Sequence, residues 1–254
     1  MRHFRRRAPL AAAIGIVTAV LTGAAAQADT GPPPVPEPSA TAENPAARPA
    51  AAGLTAPEGG QHPPVQVCGP PYLDNNPNLG PEYLPRTGPI GEILRGYRPL
   101  NGLSPQAFLD RYWDESVNGW RYPPDYGFAH SGGYSNGKPL IKTVTLPVGT
   151  SLDRFGGERG SFVAPLGGSY IGRALPPNNL NTFQGAPQYI CNYHTYRVIK
   201  EFKVDGGPAV AAFQLAGKAP QYHLVSKYIP DAPQTSPEVS VEWLIANGYL
   251  ARSN

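Results

Sequence analysis

Two stretches of the chain repeat apolar residues at close to 3.6-residue spacing behind a helix start signal. In the first, Ser104-Pro105-Gln106 precedes Ala107-Phe108-Leu109-Asp110-Arg111-Tyr112-Trp113. The serine can cap the first turn, and the proline stands where its missing N–H is not needed. In the second, Ser236-Pro237-Glu238 leads into Val241, Trp243, Leu244 and Ile245, with Asn247-Gly248 as a left-handed stop. Short helices are expected at both. Elsewhere, Leu140–Leu146, Tyr193–Val204, Pro208–Leu215 and Gln221–Tyr228 are rich in β-branched and aromatic residues, often alternating. These segments predict strands, with Asp205-Gly206-Gly207 as a hairpin turn. Gly156-Gly157-Glu158-Arg159-Gly160 lacks dinucleotide-fingerprint spacing and is read as a turn between strands. The expected class is α+β: a mainly antiparallel β-sheet domain with a few short helices, preceded by a small Pro-rich helical and loop subdomain. Alternating βαβ units are missing, which argues against a Rossmann-type fold.

The front of the chain has a different pattern. Arg2, Arg5, Arg6 and Arg7 precede an apolar run from Ala8 to Leu21 and small residues ending in Ala26-Gln27-Ala28. This reads as a secretory signal peptide over 1–28, too short to serve as a ~20-residue membrane span. No later segment approaches that length, so the mature protein is expected to be secreted, with no membrane span. Residues 29–64 contain ten prolines and no Phe, Trp or Tyr, a composition that cannot bury enough apolar surface to offset the entropy of ordering. They are read as a disordered linker. All three tryptophans and all fourteen tyrosines follow Val65. An accessory segment over 65–118 and a catalytic domain over 119–254 are expected, the first packed on the second.

Across 254 residues, 29 glycines and 32 prolines predict many turns and irregular loops. The formal charge of +3 comes from the leading arginines; the remainder has 17 cationic against 18 acidic side chains, so nucleic acid is a poor candidate partner. Cys68 and Cys191, an even pair in an exported chain, are expected to form a disulfide. A metal site on Cys191-Asn192-Tyr193-His194 with His62 and Cys68 is the rival, weakened by the lack of a second short-spaced pair. Asp231, Glu238 and Glu242 are too sparse for a calcium cage. No His-Glu-x-x-His helix or phosphate-binding P-loop occurs. No metal or other cofactor is expected.

Five blocks occur in order: Leu152-Asp153-Arg154-Phe155-Gly156, Gly160-Ser161-Phe162-Val163-Ala164-Pro165, Arg173-Ala174-Leu175-Pro176-Pro177, Tyr193-His194-Thr195-Tyr196-Arg197-Val198 and Pro220-Gln221-Tyr222. With Trp120-Arg121-Tyr122-Pro123-Pro124 and Gly127-Phe128 upstream, they resemble the tuberculosis necrotizing toxin (TNT) domain family, including fungal cell-surface NAD glycohydrolases. The resemblance covers about Trp120 to Leu250. It implies hydrolysis of the nicotinamide–ribose bond of NAD⁺, and of NADP⁺, to ADP-ribose and nicotinamide, with the dinucleotide as substrate rather than cofactor.

Carried over block by block, the resemblance makes Arg154 and Gln221 the catalytic residues. Arg154 and Arg173 are assigned to the diphosphate, which suits the planar guanidinium fork. Phe155 and Phe162 supply aromatic faces for nicotinamide or its ribose, and His194 a hydrogen bond to substrate. The bland readings are an Arg154 paired with Asp153 or Glu158, a solvated Arg173, a core Phe155 and a structural His194. Gln214, one position off the family's upstream glutamine, is read as a decoy. The family's Gly-rich run before the glutamine appears here as Leu215-Ala216-Gly217-Lys218-Ala219-Pro220, which puts loop shape in question. Two other classes stay open: a secreted ADP-ribosyltransferase, against which stands the lack of a Glu-x-Glu or Gln-x-Glu pair, and an inert surface-binding module on the same scaffold. A homodimer, an immunity protein and use as a toxin are left open by the sequence.

Overall fold

The computed structural model describes residues 66–133 and 137–254. The expected signal peptide and linker, and with them His62, lie outside the described residues. In chain order the main elements are α1 (Gly88–Ile93), α2 (Pro105–Tyr112), β1 (Trp113–Asp114), β2 (Gly119–Trp120), β3 (Lys142–Leu146), β4 (Ser151–Phe155), β5 (Phe162–Pro165), α3 (Tyr170–Arg173), β6 (Tyr193–Val198), β7 (Phe202–Pro208), β8 (Pro220–His223), α4 (Val241–Ala246) and β9 (Leu250–Arg252). β3 to β9 form one seven-stranded sheet in the order β3-β7-β8-β5-β4-β6-β9, with every pairing antiparallel. The α+β class is as the sequence pattern predicts.

Each sheet face has its own core. On one, Leu152, Val163, Tyr196, Val198 and Val204 pack with Leu224, Val241, Leu244 and Leu250, so that α4 covers the sheet. On the other, Phe155 and Tyr193 pack with Tyr170, Ala174 and Leu180, joined by Cys68, Ile93 and Leu94 from the front segment. A third cluster places Leu79, Leu100, Phe108, Trp113 and Trp120 around Phe213. Each such side chain contributes roughly 1.5–3 kcal/mol on burial, so the front segment is held by the same hydrophobic term as the sheet. Cys68 and Cys191 form a disulfide across 123 residues, adding a covalent tie at the same interface. The β1–β2 hairpin pairs Trp113 with Trp120 and Asp114 with Gly119, so a division at 118/119 falls inside it.

The first predicted helix starts as read: Ser104 caps α2 by accepting from the Ala107 N–H. The second starts a turn late, with Ser240 accepting from Trp243 N–H. Pro237 restricts Ser236 to extended backbone, and the Ser236–Glu238 stretch is used in pairing: Ser226 N–H donates to Pro237 O and Val225 bridges Glu238. The predicted Tyr193–Val204 strand is two strands, β6 and β7, separated where Ile199 and Lys200 N–H donate to Tyr249 O.

The expected hairpin turn at Asp205-Gly206-Gly207 lies inside β7 instead. Its glycines serve close approach: a Cβ on Gly206 would sit 2.6 Å from Val144 Cγ2, and one on Gly207 2.1 Å from Leu140 O. Of Pro208–Leu215, Pro208 closes β7 opposite Pro220 and the rest contributes isolated bridges, at Ala209 and between Ala212 and Leu215. Left-handed backbone at Phe213 and Gln214 (φ 51° and 62°) breaks any strand there. Gln221–Tyr228 begins in β8 and then turns at Ser226–Tyr228.

Candidate active site

Alternation along the central strands sorts the predicted residues onto two faces. β5 and β8 place Phe162 opposite His223 and Val163 opposite Tyr222, and Gln221 shares a face with His223 two residues on. β4 and β5 place Ala164 opposite Asp153, so Phe162, Gln221 and His223 share the face of Asp153 and Phe155. Arg154 pairs with His194 across β4 and β6, on the opposite face. The two groups meet at the strand ends, where Arg154 Nη1 donates to the Phe162 carbonyl at 2.8 Å.

The Gln221 group is made of rings and one amide. The Gln221 Nε2 donates to the Tyr126 carbonyl at 3.0 Å. A carbonyl can only accept, so this contact fixes the amide with its nitrogen toward Tyr126 and its Oε1 as the remaining acceptor. Phe162 stacks on the His223 ring at 4.5 Å and 8°, and Tyr126 lies over the same imidazole at 4.2 Å. His223 is 1% exposed, with Nε2 2.6 Å from Oε1 of Glu238. The hydrogen bond from His223 holds the Glu238 carboxyl below the usual carboxylate range, against the opposing effect of its partial burial.

The preceding loop, which departs from the family pattern, is stitched at both ends. Ala209 N–H donates to Ala219 O, Gly217 N–H to Ile171 O, and Ala219 N–H to Gly172 O. Gln221 therefore begins its strand from a fixed point beside α3. A cavity of about 220 Å³ opens there, lined by Ala164, Pro165, Gly168, Arg173, Ala219 and Pro220 among others.

Arg173 reaches that cavity wall but its guanidinium is committed. It is 7% exposed, with Nη1 2.6 Å from Asp153 Oδ1, Nη2 2.9 Å from Oδ2, and Nε donating to Gly168 O. Asp153 is fully buried and also accepts from Tyr193 Oη and Gly167 N–H. The expected solvated or phosphate-binding fork is thus an internal ion pair, in which Oδ2 of Asp153 accepts three hydrogen bonds and Oδ1 faces the guanidinium charge. Phe155, expected against substrate, is 1% exposed between Tyr170 and Tyr193 in the interior; its place is in the core.

The Arg154 group is charged, with His194 buried, Arg154 and Glu158 half-buried and Arg252 at the exposed edge. Arg154 Nε donates to Gly157 O at 2.8 Å, so with its bond to Phe162 O it clamps the turn between β4 and β5. The glycines of that turn are its seat: a Cβ on Gly160 would fall 1.9 Å from Arg154 Nη2. Glu158 is engaged by Arg252, whose Nε donates to Oε1 at 2.8 Å. His194 is 5% exposed, with Nε2 3.0 Å from Asn192 Oδ1 and Nδ1 3.8 Å from Glu158. Burial, reinforced by Arg154 and Arg252 and opposed by Glu158, pulls its pKa down to about 4. At neutral pH the imidazole is uncharged.

Gln214 lies away from both groups, its Nε2 donating to Tyr112 Oη and its carbonyl accepting from Asn101 at the front-segment interface. Sequence reasoning missed Tyr126, His223 and Glu238. The alternation Gln221-Tyr222-His223 could have flagged His223 as a face-mate of Gln221; Glu238, close only through tertiary pairing, left no local signal.

The family model described as Tuberculosis necrotizing toxin matches residues 145–253. A solved structure, tuberculosis necrotizing toxin complexed with its immunity factor IFT, aligns with a TM-score of 0.42 at 18% identity, covering 59% of this chain and 71% of that one. The conidial surface nicotinamide adenine dinucleotide glycohydrolase nadA of Aspergillus fumigatus is 46% identical over 183 residues, which span 71% of this chain and 70% of that protein. At that identity and coverage, the chain belongs to the tuberculosis necrotizing toxin family.

Proposed function

We propose that this chain is an exported NAD⁺ glycohydrolase, with NADP⁺ as a second substrate, and that the Gln221 face of the sheet holds the reacting centre. One observation carries the reading: 46% identity over 183 residues to a protein named as an NAD glycohydrolase. The surface location in that relative's name accords with the leader read in residues 1–28.

The bond between nicotinamide nitrogen and ribose C1′ breaks with its electron pair going to nitrogen, so nicotinamide leaves neutral and needs no general acid. Positive charge develops on the ribose, shared with its ring oxygen. Water adds at C1′ and loses its proton to solvent, giving ADP-ribose. Gln221 cannot act as a base at neutral pH; with its Nε2 held by Tyr126, Oε1 accepts from a ribose hydroxyl and fixes the sugar for attack. Phe162 offers a ring edge to nicotinamide or ribose. Arg154 holds the β4–β5 turn beside Phe162 and contributes positive charge near the diphosphate, while Arg173 supports the wall through Asp153. Neutral His194 orders the Asn192 side of the same strand end. Residues 66–118 serve as backing for the sheet. No metal or other cofactor is assigned a step.

The test mixes the purified mature chain with NAD⁺ in chelator-treated buffer and follows both products by chromatography. Equal release of nicotinamide and ADP-ribose without a protein acceptor is expected. Label transferred to protein would replace hydrolysis with ADP-ribosyl transfer, and a folded protein releasing nothing would leave a binding module.

A further inference from the structure

We propose that His223, anchored by Glu238, is a positioning residue for the hydrolysis, setting the Phe162 and Tyr126 rings and, through the Tyr126 carbonyl, the orientation of the Gln221 amide. The proposal rests on the reading that Gln221 and Phe162 form the reacting centre.

An imidazole buried to 1% needs a polar partner to offset its lost hydration. Glu238 supplies it: an ionised carboxylate can only accept, so His223 Nε2–H donates to Oε1 at 2.6 Å. Ser161, directly before Phe162, adds to the lowering of the same carboxyl's pKa. Glu238 thus anchors the β8 side of the Phe162–His223 stack. That fixes the imidazole in rotation as well as depth, which apolar packing alone would not do.

Both faces of the fixed ring are used. Phe162 lies parallel to it at 4.5 Å, and Tyr126 covers it at 4.2 Å with a 33° tilt. Tyr126 stands in a turn whose successive residues Asp125 and Tyr126 both have left-handed backbone, φ 51° and 56°. Non-glycine residues keep that conformation only where their surroundings hold it. His130 on Asp125 (2.9 Å) and His223 under the Tyr126 ring are two such holds. The carbonyl fixed in this way takes the Gln221 Nε2–H, so loosening His223 frees the amide to rotate. A misplacement of about 1 Å at a reacting centre costs up to ~100-fold in rate.

The experiment measures kcat, KM and thermal midpoint for the mature chain carrying His223→Ala, Glu238→Ala, Glu238→Gln, Gln221→Ala, or Val198→Ala. The last is a reference: a core truncation on β6, in the opposite face's cluster. His223→Ala is expected to lower kcat by ~10-fold or more with KM within about threefold, as for a group that acts on orientation rather than binding. Glu238→Ala should lower kcat in the same direction. Glu238→Gln, whose amide oxygen still accepts from Nε2, should recover most of that loss.

An unchanged kcat in His223→Ala, or a kcat loss no greater than in Val198→Ala at matched midpoint, would overturn the proposal. Should His223→Ala fail to fold, the Glu238 pair decides, and equal kcat in its Ala and Gln forms overturns it. Wild-type turnover in Gln221→Ala would instead remove the reading beneath. Loss of activity in Gln221→Ala with unaltered His223 and Glu238 variants would remove only this proposal.

Discussion

The two faces of the sheet near the ends of β4, β5 and β8 are built by opposite rules. On the Gln221 face, an amide and three rings are arranged with modest internal bonding, and one amide oxygen keeps its accepting capacity. On the opposite face His194 is buried, Arg154 and Glu158 are half-buried and Arg252 is exposed, and their contacts run to backbone carbonyls, to Asn192 and to one another. Further along the same face as Gln221, Asp153 and Arg173 neutralise each other in the interior. Residues in family motifs therefore divide into those arranged to meet a substrate and those that hold the frame, and residue type alone does not assign them. Arginine is the instructive case: in this site both arginines spend hydrogen bonds on the protein itself.

That contrast breaks most sharply if frame and site variants behave alike. Arg173→Ala strands a buried Asp153 carboxylate, so chemical denaturation should show about 4 kcal/mol lost; a loss below ~1 kcal/mol would mean that the pair is not part of the frame. Gln221→Ala should cut kcat by ~10²–10³, worth about 3–4 kcal/mol in the barrier, with little change in denaturation midpoint. Equal damage to activity and stability there would erase the distinction. Replacing Cys68 and Cys191 with serine should cost about 3 kcal/mol, since the bridge closes a loop of 123 residues between the front segment and the His194 strand. Turnover well below the melting temperature should be nearly kept, which sharpens the frame assignment; a selective loss of kcat would blur it.

Much of this arrangement was legible in the sequence where local chemistry decides the outcome. Ser104-Pro105 starts its helix because a hydroxyl cap and a fixed φ act within one turn, and the pair Cys68 and Cys191 reads as a disulfide from compartment and count. Gly206-Gly207 misled because glycine serves two ends: turn conformation, which is local, and close approach, which depends on a neighbour such as Leu140 whose position the sequence does not show. Ser236-Pro237 carries a helix start, yet long-range pairing with Val225 and Ser226 claimed that backbone. The site follows the same division. Gln221 and Phe162 are visible as motif residues, whereas the pairing of Arg173 on α3 with Asp153 on β4 and the Glu238 anchor of His223 arise from tertiary packing between segments distant in sequence. Arg154 sits between the cases: its block names it, but only the fold shows that Gly157 and Gly160 form its seat.

The smallest expected effect separates the faces by acid. Burial, helped by Arg154 and Arg252, lowers the His194 pKa from 6.5 to about 4 in the folded protein. Above pH 6.5 the ring is neutral both folded and unfolded, and it costs nothing. As pH falls from 6.5 toward 4 only the unfolded chain takes up the proton, so stability is lost through that window and levels off below it. Solvent relaxation trims the full shift, leaving on the order of 2 kcal/mol from this residue. Glu238, whose carboxyl is held below its ordinary 4.5 by His223, acts further down: its contribution is present above pH 4.5 and is lost as pH falls through the lower folded value. Denaturant titrations at half-unit pH steps on the wild type and on His194→Gln should therefore diverge between 6.5 and 4 and run parallel above. The same comparison on Glu238→Gln should diverge only below 4.5. A His194→Gln protein with the full wild-type slope between 6.5 and 4 would mean that the imidazole is not buried neutral.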